Sequence, residues 1–257
     1  MKIVLIGAGN VATHLGIGFK KAEHSIIQVY SRTAFSADTL AKKLHCKSCT
    51  DAKDISDEAD LYIISLSDHA VKGFLKSFPL TDKVVAHTSG SLPLNIFGKK
   101  FKHCGVIYPV QTFSLNRKVN LTDVPFCIEW SDDEAKKKIG FAVKRLSNTI
   151  IHINSSKRKH VHLAAVFANN FGNHLLTISE KLMADAGLAY TILCPLILET
   201  ALKVQTRNPY YMQTGPARRG DSEIIEAHLK MLGNDKELHT FYKLFTESIS
   251  ELYGIKL

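Results

Sequence analysis

Met1-Lys2-Ile3-Val4-Leu5-Ile6-Gly7-Ala8-Gly9-Asn10-Val11-Ala12 is an apolar run that breaks into glycines and then resumes with helical periodicity. Lys2 to Ile6 predicts a buried strand, and Gly7 to Ala12 fits the spacing G-x-G-x-x-A. Each small residue has a task in a dinucleotide site. Gly7 permits the tight turn, Gly9 lets the backbone approach a pyrophosphate, and Ala12 lets the helix pack close to the strand. A helix starting here aims unpaired N–H groups and the positive end of its dipole at phosphates. Glycine turns of this spacing also occur without a ligand; the position between a strand and a helix carries the dinucleotide reading.

The next strand, Ser25 to Tyr30 (SIIQVY), ends in Ser31-Arg32-Thr33. An NAD site carries Asp or Glu here, about 20 residues past the glycines, to bond the ribose 2′-hydroxyl. A carboxylate repels a 2′-phosphate, whereas a guanidinium flanked by hydroxyls grips it, so the expected cofactor is NADP. The plain alternative is a surface arginine on a loop.

Beyond this unit, strands are expected at Cys46 to Thr50, Leu61 to Leu66, Lys83 to Ala86, Gly105 to Tyr108, Val124 to Trp130 and Thr149 to Ile153. Helices are expected at Ser36 to Leu44, after Ser67, and from Asp132 to Ser147. Alternation over this length predicts a doubly wound, largely parallel sheet covered on both faces. From Ser155 no convincing strand remains. Ser156 to Ala186 reads as one long helix with Leu163, Phe167, Phe171, Leu175, Ile178 and Leu182 on one stripe, stopped by Gly187. Helices at Tyr190 to Thr206, Ser222 to Leu232 and Asp235 to Tyr253 follow, with a loop from Asn208 to Asp221. The expected division is residues 1–154, an α/β domain of the Rossmann type, and 155–257, an all-α domain.

Composition narrows the function classes. The chain has 257 residues, 45% of them hydrophobic and 22% charged, which fits a globular protein. Its net charge of +9 comes from 33 Lys and Arg against 24 Asp and Glu. The basic residues are scattered along polar helix faces rather than massed, so a nucleic-acid partner is not expected. No run reaches the length of a membrane span, and the N-terminal apolar stretch is too short for a signal peptide, so a cytoplasmic protein with reduced thiols is expected. Cys46-Lys47-Ser48-Cys49 is a C-x-x-C without a second pair and reads as coincidence. His87, His103 and His152 lack partners at metal-ligand spacing, so no metal site is expected.

Small and polar residues gather past the expected strand ends, where a doubly wound sheet offers a crevice to ligands. Leu66, Ser67, Thr88 and Ser89 are placed beside the ribose and nicotinamide, and Gly7, Gly9, Asn10 and Val11 at the pyrophosphate. Ordinary helix capping is the competing explanation for the hydroxyls. On the long helix, His162, Asn169, Asn170 and Asn173 share one side at spacings of three and four. Amides inside an apolar helix are costly without partners. They either pair with another helix or line a substrate cleft. Gln111 and Asn170 join His162 as candidate catalytic groups, and Asn169, Asn173, Arg218 and Arg219 as candidate substrate contacts. Arg218 and Arg219 are alternatively paired with Asp221 or Glu223.

GAGNVATHL, YSRT, HTSGSL, YPVQTFS, HLAAVFANN and TGPARRGD together resemble a family joining a Rossmann-like domain to domain of unknown function 2520. That family lies within the 6-phosphogluconate-dehydrogenase-like superfamily, beside pyrroline-5-carboxylate reductase and the β-hydroxyacid dehydrogenases. The resemblance implies a dimer whose helical domains interlock and an NADP-dependent reduction. It departs at one position. β-Hydroxyacid dehydrogenases carry a catalytic lysine in K-x-x-N-N, and here Val166 precedes Asn169-Asn170. Valine moves no proton, which favours reduction of a small anionic imine or an unusual carbonyl, with His162 one turn away as the protonating or orienting group. The same valine supports an alternative, a non-catalytic NADP-binding sensor or regulatory protein.

Overall fold

In the computed structural model, which describes residues 1–256, the chain divides into two compact units, residues 1–175 and 176–257. The first contains an eight-stranded sheet: β1 (Lys2–Ile6), β2 (Ser25–Tyr30), β3 (Lys47–Cys49), β4 (Leu61–Ile64), β5 (Val84–His87), β6 (His103–Pro109), β7 (Phe126–Trp130) and β8 (Ile150–His152). Their spatial order is β3-β2-β1-β4-β5-β6-β7-β8. Every neighbouring pair is parallel except β6 and β7, where Ile107 faces Ile128 in antiparallel register. Five helices belong to this unit: α1 (Asn10–Lys21), α2 (Ala34–Leu44), α3 (Asp68–Ser77), α4 (Asp133–Lys144) and α5 (Ser155–Ala165).

The side-chain alternation of β1 shows why the sheet needs two covers. Ile3 and Leu5 join Leu15 and Phe19 of α1, Leu40 of α2 and Ile139 of α4 on one face. Val4 and Ile6 join Val71 and Phe74 of α3, with Phe78, Phe97 and Phe101, on the other. Both sets are almost wholly buried. A strand buried on both faces reads as a continuous apolar run, as KIVLI does.

The helical stretch beginning at Ser155 differs from its regular reading. α5 passes into a π-helical segment, Val166–Phe171, before α6 (Gly172–Asp185) resumes the α winding. The hydrophobic period does not reveal this wider turn, which runs for only 6 residues inside a longer apolar pattern. Gly187 (φ +70°) ends the helical run. The compact units meet at Leu175 and Leu176, within α6, rather than where the residue pattern changes at Asn154. A buried ion pair fastens α5 to the sheet: Arg158, fully buried, bonds Glu129 of β7 and the carbonyl of Leu92. Glu129 also accepts from the backbone and hydroxyl of Ser155 at 2.9 and 2.8 Å.

The second unit contains the rest of α6, α7 (Cys194–Thr206), α8 (Pro216–Arg219), α9 (Ser222–Met231) and α10 (Lys236–Leu252). The segment expected as a loop, 208–221, contains α8 and a short 3-10 turn, Pro209–Met212, each begun by a proline whose missing N–H costs nothing at a helix start. No helix among the described residues is long and apolar enough to cross a membrane.

Candidate functional site

β1 lies where the strand order reverses, between β2 and β4, so its C-terminal end opens on the crevice of a doubly wound sheet. Gly7 stands there at φ +117°, its N–H donating to Tyr30 O at 2.8 Å. A Cβ on Gly7 would lie 2.4 Å from the Ser65 carbonyl oxygen, so only glycine fits. Above Gly9, by contrast, nothing stands within 4 Å. The first intrahelical bond of α1 runs from Thr13 N to Gly9 O (2.9 Å), and no acidic residue occupies the first turn. The N–H groups of Asn10, Val11 and Ala12 therefore face open space at a positive helix end, and a pyrophosphate fits them. The Asn10 side chain does something else: its Nδ2 donates to Phe113 O at 2.8 Å. His14, one turn on, meets Ser114 O through Nε2 at 3.0 Å and stacks on Phe113. The cofactor helix thus also anchors the loop after β6.

At the end of β2, Ser31 donates its N–H to Cys49 O (3.2 Å) and Thr33 precedes α2 with its hydroxyl on Ser36 at 2.9 Å. Arg32 between them is exposed and makes no ion pair among the described residues. The first turn of α2 holds no acid either. A free guanidinium beside a second helix N-terminus suits a 2′-phosphate and leaves no carboxylate for a bare ribose. Leu66 borders Gly7, and Ser67 stands ahead of α3 with Oγ 3.3 Å from His69 Nε2. Both Cys46 and Cys49 have thiols that burial pushes up to about 11, so neither is a ready thiolate.

Along the crevice, Thr88 follows β5 with its hydroxyl donating to Ile64 O and lying near Ser65 Oγ, each at 3.4 Å. Ser89 turns out to build its own loop: its Oγ accepts the N–H groups of Ser91 and Leu92, both at 3.0 Å. Its neighbour His87 is fully buried against Phe97, and burial, helped by the Arg158 charge, holds its imidazole down at about 3. His162 of α5 lies directly on Gly90, where a Cβ would come within 2.7 to 2.9 Å of three ring and side-chain atoms. Its Nδ1 is 3.2 Å from the Tyr108 hydroxyl. Tyr108, at the end of β6, is held in the neutral form because burial pushes its pKa up.

Gln111, Asn169, Asn170 and Asn173 come together on one polar cavity of about 800 Å³ within the first unit. The π turn lets the adjacent Asn169 and Asn170 both reach it. Gln111 accepts the Thr112 N–H through Oε1 at 2.8 Å, which fixes its amide nitrogen as the free donor. The cavity's charges come from Arg117 and Lys118, opposed by Asp123 alone. Arg218 and Arg219 belong to the second unit. Arg218 lies 4.3 Å over the Tyr253 ring, and Arg219 is 4.0 Å from Asp221, a long and exposed contact.

Sequence reading passed over Tyr108, Arg117, Lys118 and the Glu129–Arg158 pair. Arg117-Lys118 within a polar loop after YPVQTFS was a visible signal; the buried pair, 29 residues apart, left none. Among the described residues, no group of three or more His, Cys, Asp or Glu could hold a metal ion.

Residues 2–89 match the family model described as "NADP oxidoreductase coenzyme F420-dependent", and residues 124–249 match "Domain of unknown function (DUF2520)". A solved structure of the "putative NADP oxidoreductase BF3122" from Bacteroides fragilis is 40% identical, covers 97% of this chain and 98% of its own, and superposes with a TM-score of 0.89. The chain belongs to this NADP oxidoreductase family. The oxidoreductase shares its fold with 1-pyrroline-5-carboxylate reductase of Streptococcus pyogenes (14% identity, 98% of each chain, TM-score 0.66). It also shares it with an imine reductase of Myxococcus stipitatus solved with NADP+ (14% identity, 98% of this chain and 92% of that one, TM-score 0.63). No curated protein matches the oxidoreductase. Its cofactor is NADP, and the cradle at Gly7, Gly9 and the start of α1 fits that cofactor.

Proposed function

We propose that the oxidoreductase reduces a small anionic imine, or a carbonyl of similar shape, held in the polar cavity of Gln111, Asn169, Asn170 and Asn173. The observation that carries this reading is the composition of that cavity: five side-chain amides, Gln111, Asn120, Asn169, Asn170 and Asn173, with Arg117 and Lys118 outweighing Asp123. Amides orient a polar substrate, and the surplus positive charge selects an anion. NADPH, when bound, would supply the hydride and leave as NADP+. The chain's own residues have to hold the substrate and handle its proton. Val166 stands where a lysine would otherwise serve, which favours an imine, whose product amine can take its proton from a weaker donor.

In this reading the donor is His162, which does not line the cavity itself but sits on the same helical run as its asparagines, against Tyr108 and Gly90. The Tyr108 hydroxyl and His162 Nδ1 lie 3.2 Å apart, and in the tautomer in which the hydroxyl donates, Nε2 carries the ring proton and is the nitrogen left for substrate. In this reading Thr88 borders the nicotinamide ribose, while Ser89 acts through the shape of its loop. In function, residues 1–154 form the cofactor part and residues 155–257 the helical part, in a cytoplasmic protein.

The helical part also supports a homodimer. α6 and α7 have no buried residue, and Leu182, Leu196, Leu198 and Leu202 are 41% to 64% exposed on them. Helices this apolar need a cover, and a second copy supplies an equally apolar one.

The test is NADPH oxidation over a panel of cyclic imino acids and 2-oxo acids, each beside its neutral amide. Turnover of at least one acid, with its amide at least tenfold slower, supports the proposal. Preference for the amides refutes the anionic substrate, and NADPH binding without any turnover across the panel favours a sensor.

A further inference from the structure

A second cavity, of about 550 Å³, is lined by α1, the loop after β6 and the end of α4. Its floor is apolar: Ile17 and Ala22 of α1, Leu115, Val119 and Leu121 of the loop, and Leu146 after α4. Its rim carries five cationic side chains, Lys21, Lys43, Arg117, Lys118 and Arg145, and no Asp or Glu lines it. Arg145 is neutralised by Glu23 at 2.8 Å. The other four have no carboxylate partner among the described residues. They come from three separate parts of the chain, α1, α2 and the loop, so this is a convergence in space rather than a basic run in sequence.

Four unpaired cations around an apolar floor are not explained by solvation alone, since like charges gathered in one place repel. Neither the cofactor cradle nor the amide cavity uses Lys21 or Lys43. We propose that this is a second ligand site, for a soluble phosphomonoester with a compact apolar body. The phosphate would meet the lysines and the body would cover the floor. The volume falls within the range of small-molecule sites and holds such a body whole. Arg117, Lys118, Val119 and Asn120 line both cavities, so the wall of the amide cavity is also the wall of this one. The loop is itself pinned to the cofactor helix by Asn10 and His14. An occupant here sets the position of a wall that the proposed substrate also touches.

The probe is 1-naphthyl phosphate, titrated calorimetrically into the full-length chain already saturated with NADPH, so that the cofactor's own phosphate sites are filled. One molecule binds per chain, with inorganic phosphate and 1-naphthol each at least tenfold weaker. Lys21→Gln combined with Lys43→Gln weakens 1-naphthyl phosphate at least tenfold and leaves the NADPH Kd within twofold. Both lysines are exposed, so the pair of substitutions leaves the fold intact. Absence of binding at millimolar probe, or binding that the double substitution leaves within twofold, overturns the proposal. So does equal binding of the naphthol.

Discussion

Replacing Arg158 by Met destabilises the first unit by ~3 kcal/mol, and the structure gives the reason. The side chains of Arg158 and Glu129 are 1% and 11% exposed. Stranding one member of a buried ion pair costs about 3–5 kcal/mol, because the remaining charge keeps its desolvation penalty and loses its partner. The lower end applies here, since Glu129 retains the N–H and hydroxyl of Ser155. Methionine fills most of the space, so the cavity contribution stays small. For a chain of this size each kcal/mol moves Tm by about 2–4 °C, giving a fall of roughly 6–12 °C by scanning calorimetry. Glu129→Gln added to Arg158→Met removes the stranded charge and recovers at least half of that loss, a coupling that a double-mutant cycle reads directly. As a control, Lys2→Ala breaks an ion pair whose side chains are 53% and 68% exposed and costs under about 1 kcal/mol. A fall in Tm below about 2 °C for Arg158→Met, or a double variant weaker than either single, refutes the argument.

Arg32→Ala weakens NADPH by about ten- to a hundredfold, the worth of one or two charge-assisted hydrogen bonds, and leaves NADH within threefold in a fluorescence titration. Equal losses would remove Arg32 from the 2′-phosphate. Gly90→Ala drives a methyl into His162 and should lower kcat with little change in NADPH affinity; Tyr108→Phe should alter the pH profile of kcat while the fold is kept. His87 makes stability fall in acid. Its folded pKa is depressed to about 3 while the unfolded imidazole titrates at 6.5, so between these values the unfolded chain binds the extra proton and gains. His87→Phe should flatten the urea-stability profile between pH 6.5 and 3, and an unchanged slope would refute this. Leu196→Glu with Leu198→Glu should convert a dimer to monomers in light scattering; a native chain that is monomeric at micromolar concentration sinks the dimer proposal.

The sheet was legible because β1, β2 and β4 are double-sided apolar runs separated by helical periods, and that pattern permits little besides a covered parallel sheet. The reversal at β7 was not legible, since hydrophobic pattern encodes burial and leaves strand direction open. The cradle was legible for a steric reason: the crowding at Gly7 reaches back to one residue type. Ser89 was read as a crevice group from its position past a strand, but a hydroxyl there serves equally to cap its own turn, and here it is engaged by two backbone N–H groups. The Asn169-Asn170 pair marked a polar helix face but not its π winding. Tyr108 and Arg158 act through partners 54 and 29 residues away, and no local pattern records such distances.

Asn10 and His14 bind the loop after β6 through side chains, while the backbone of the same helix turn faces the cofactor. Arg117 and Lys118, exposed three to five residues beyond those anchors, are adjacent trypsin sites. The chain therefore contains its own protection assay. Whatever steadies the first turn of α1 slows cutting at these two bonds, and whatever loosens it exposes them, so ligands can be ranked by gel before any turnover is known.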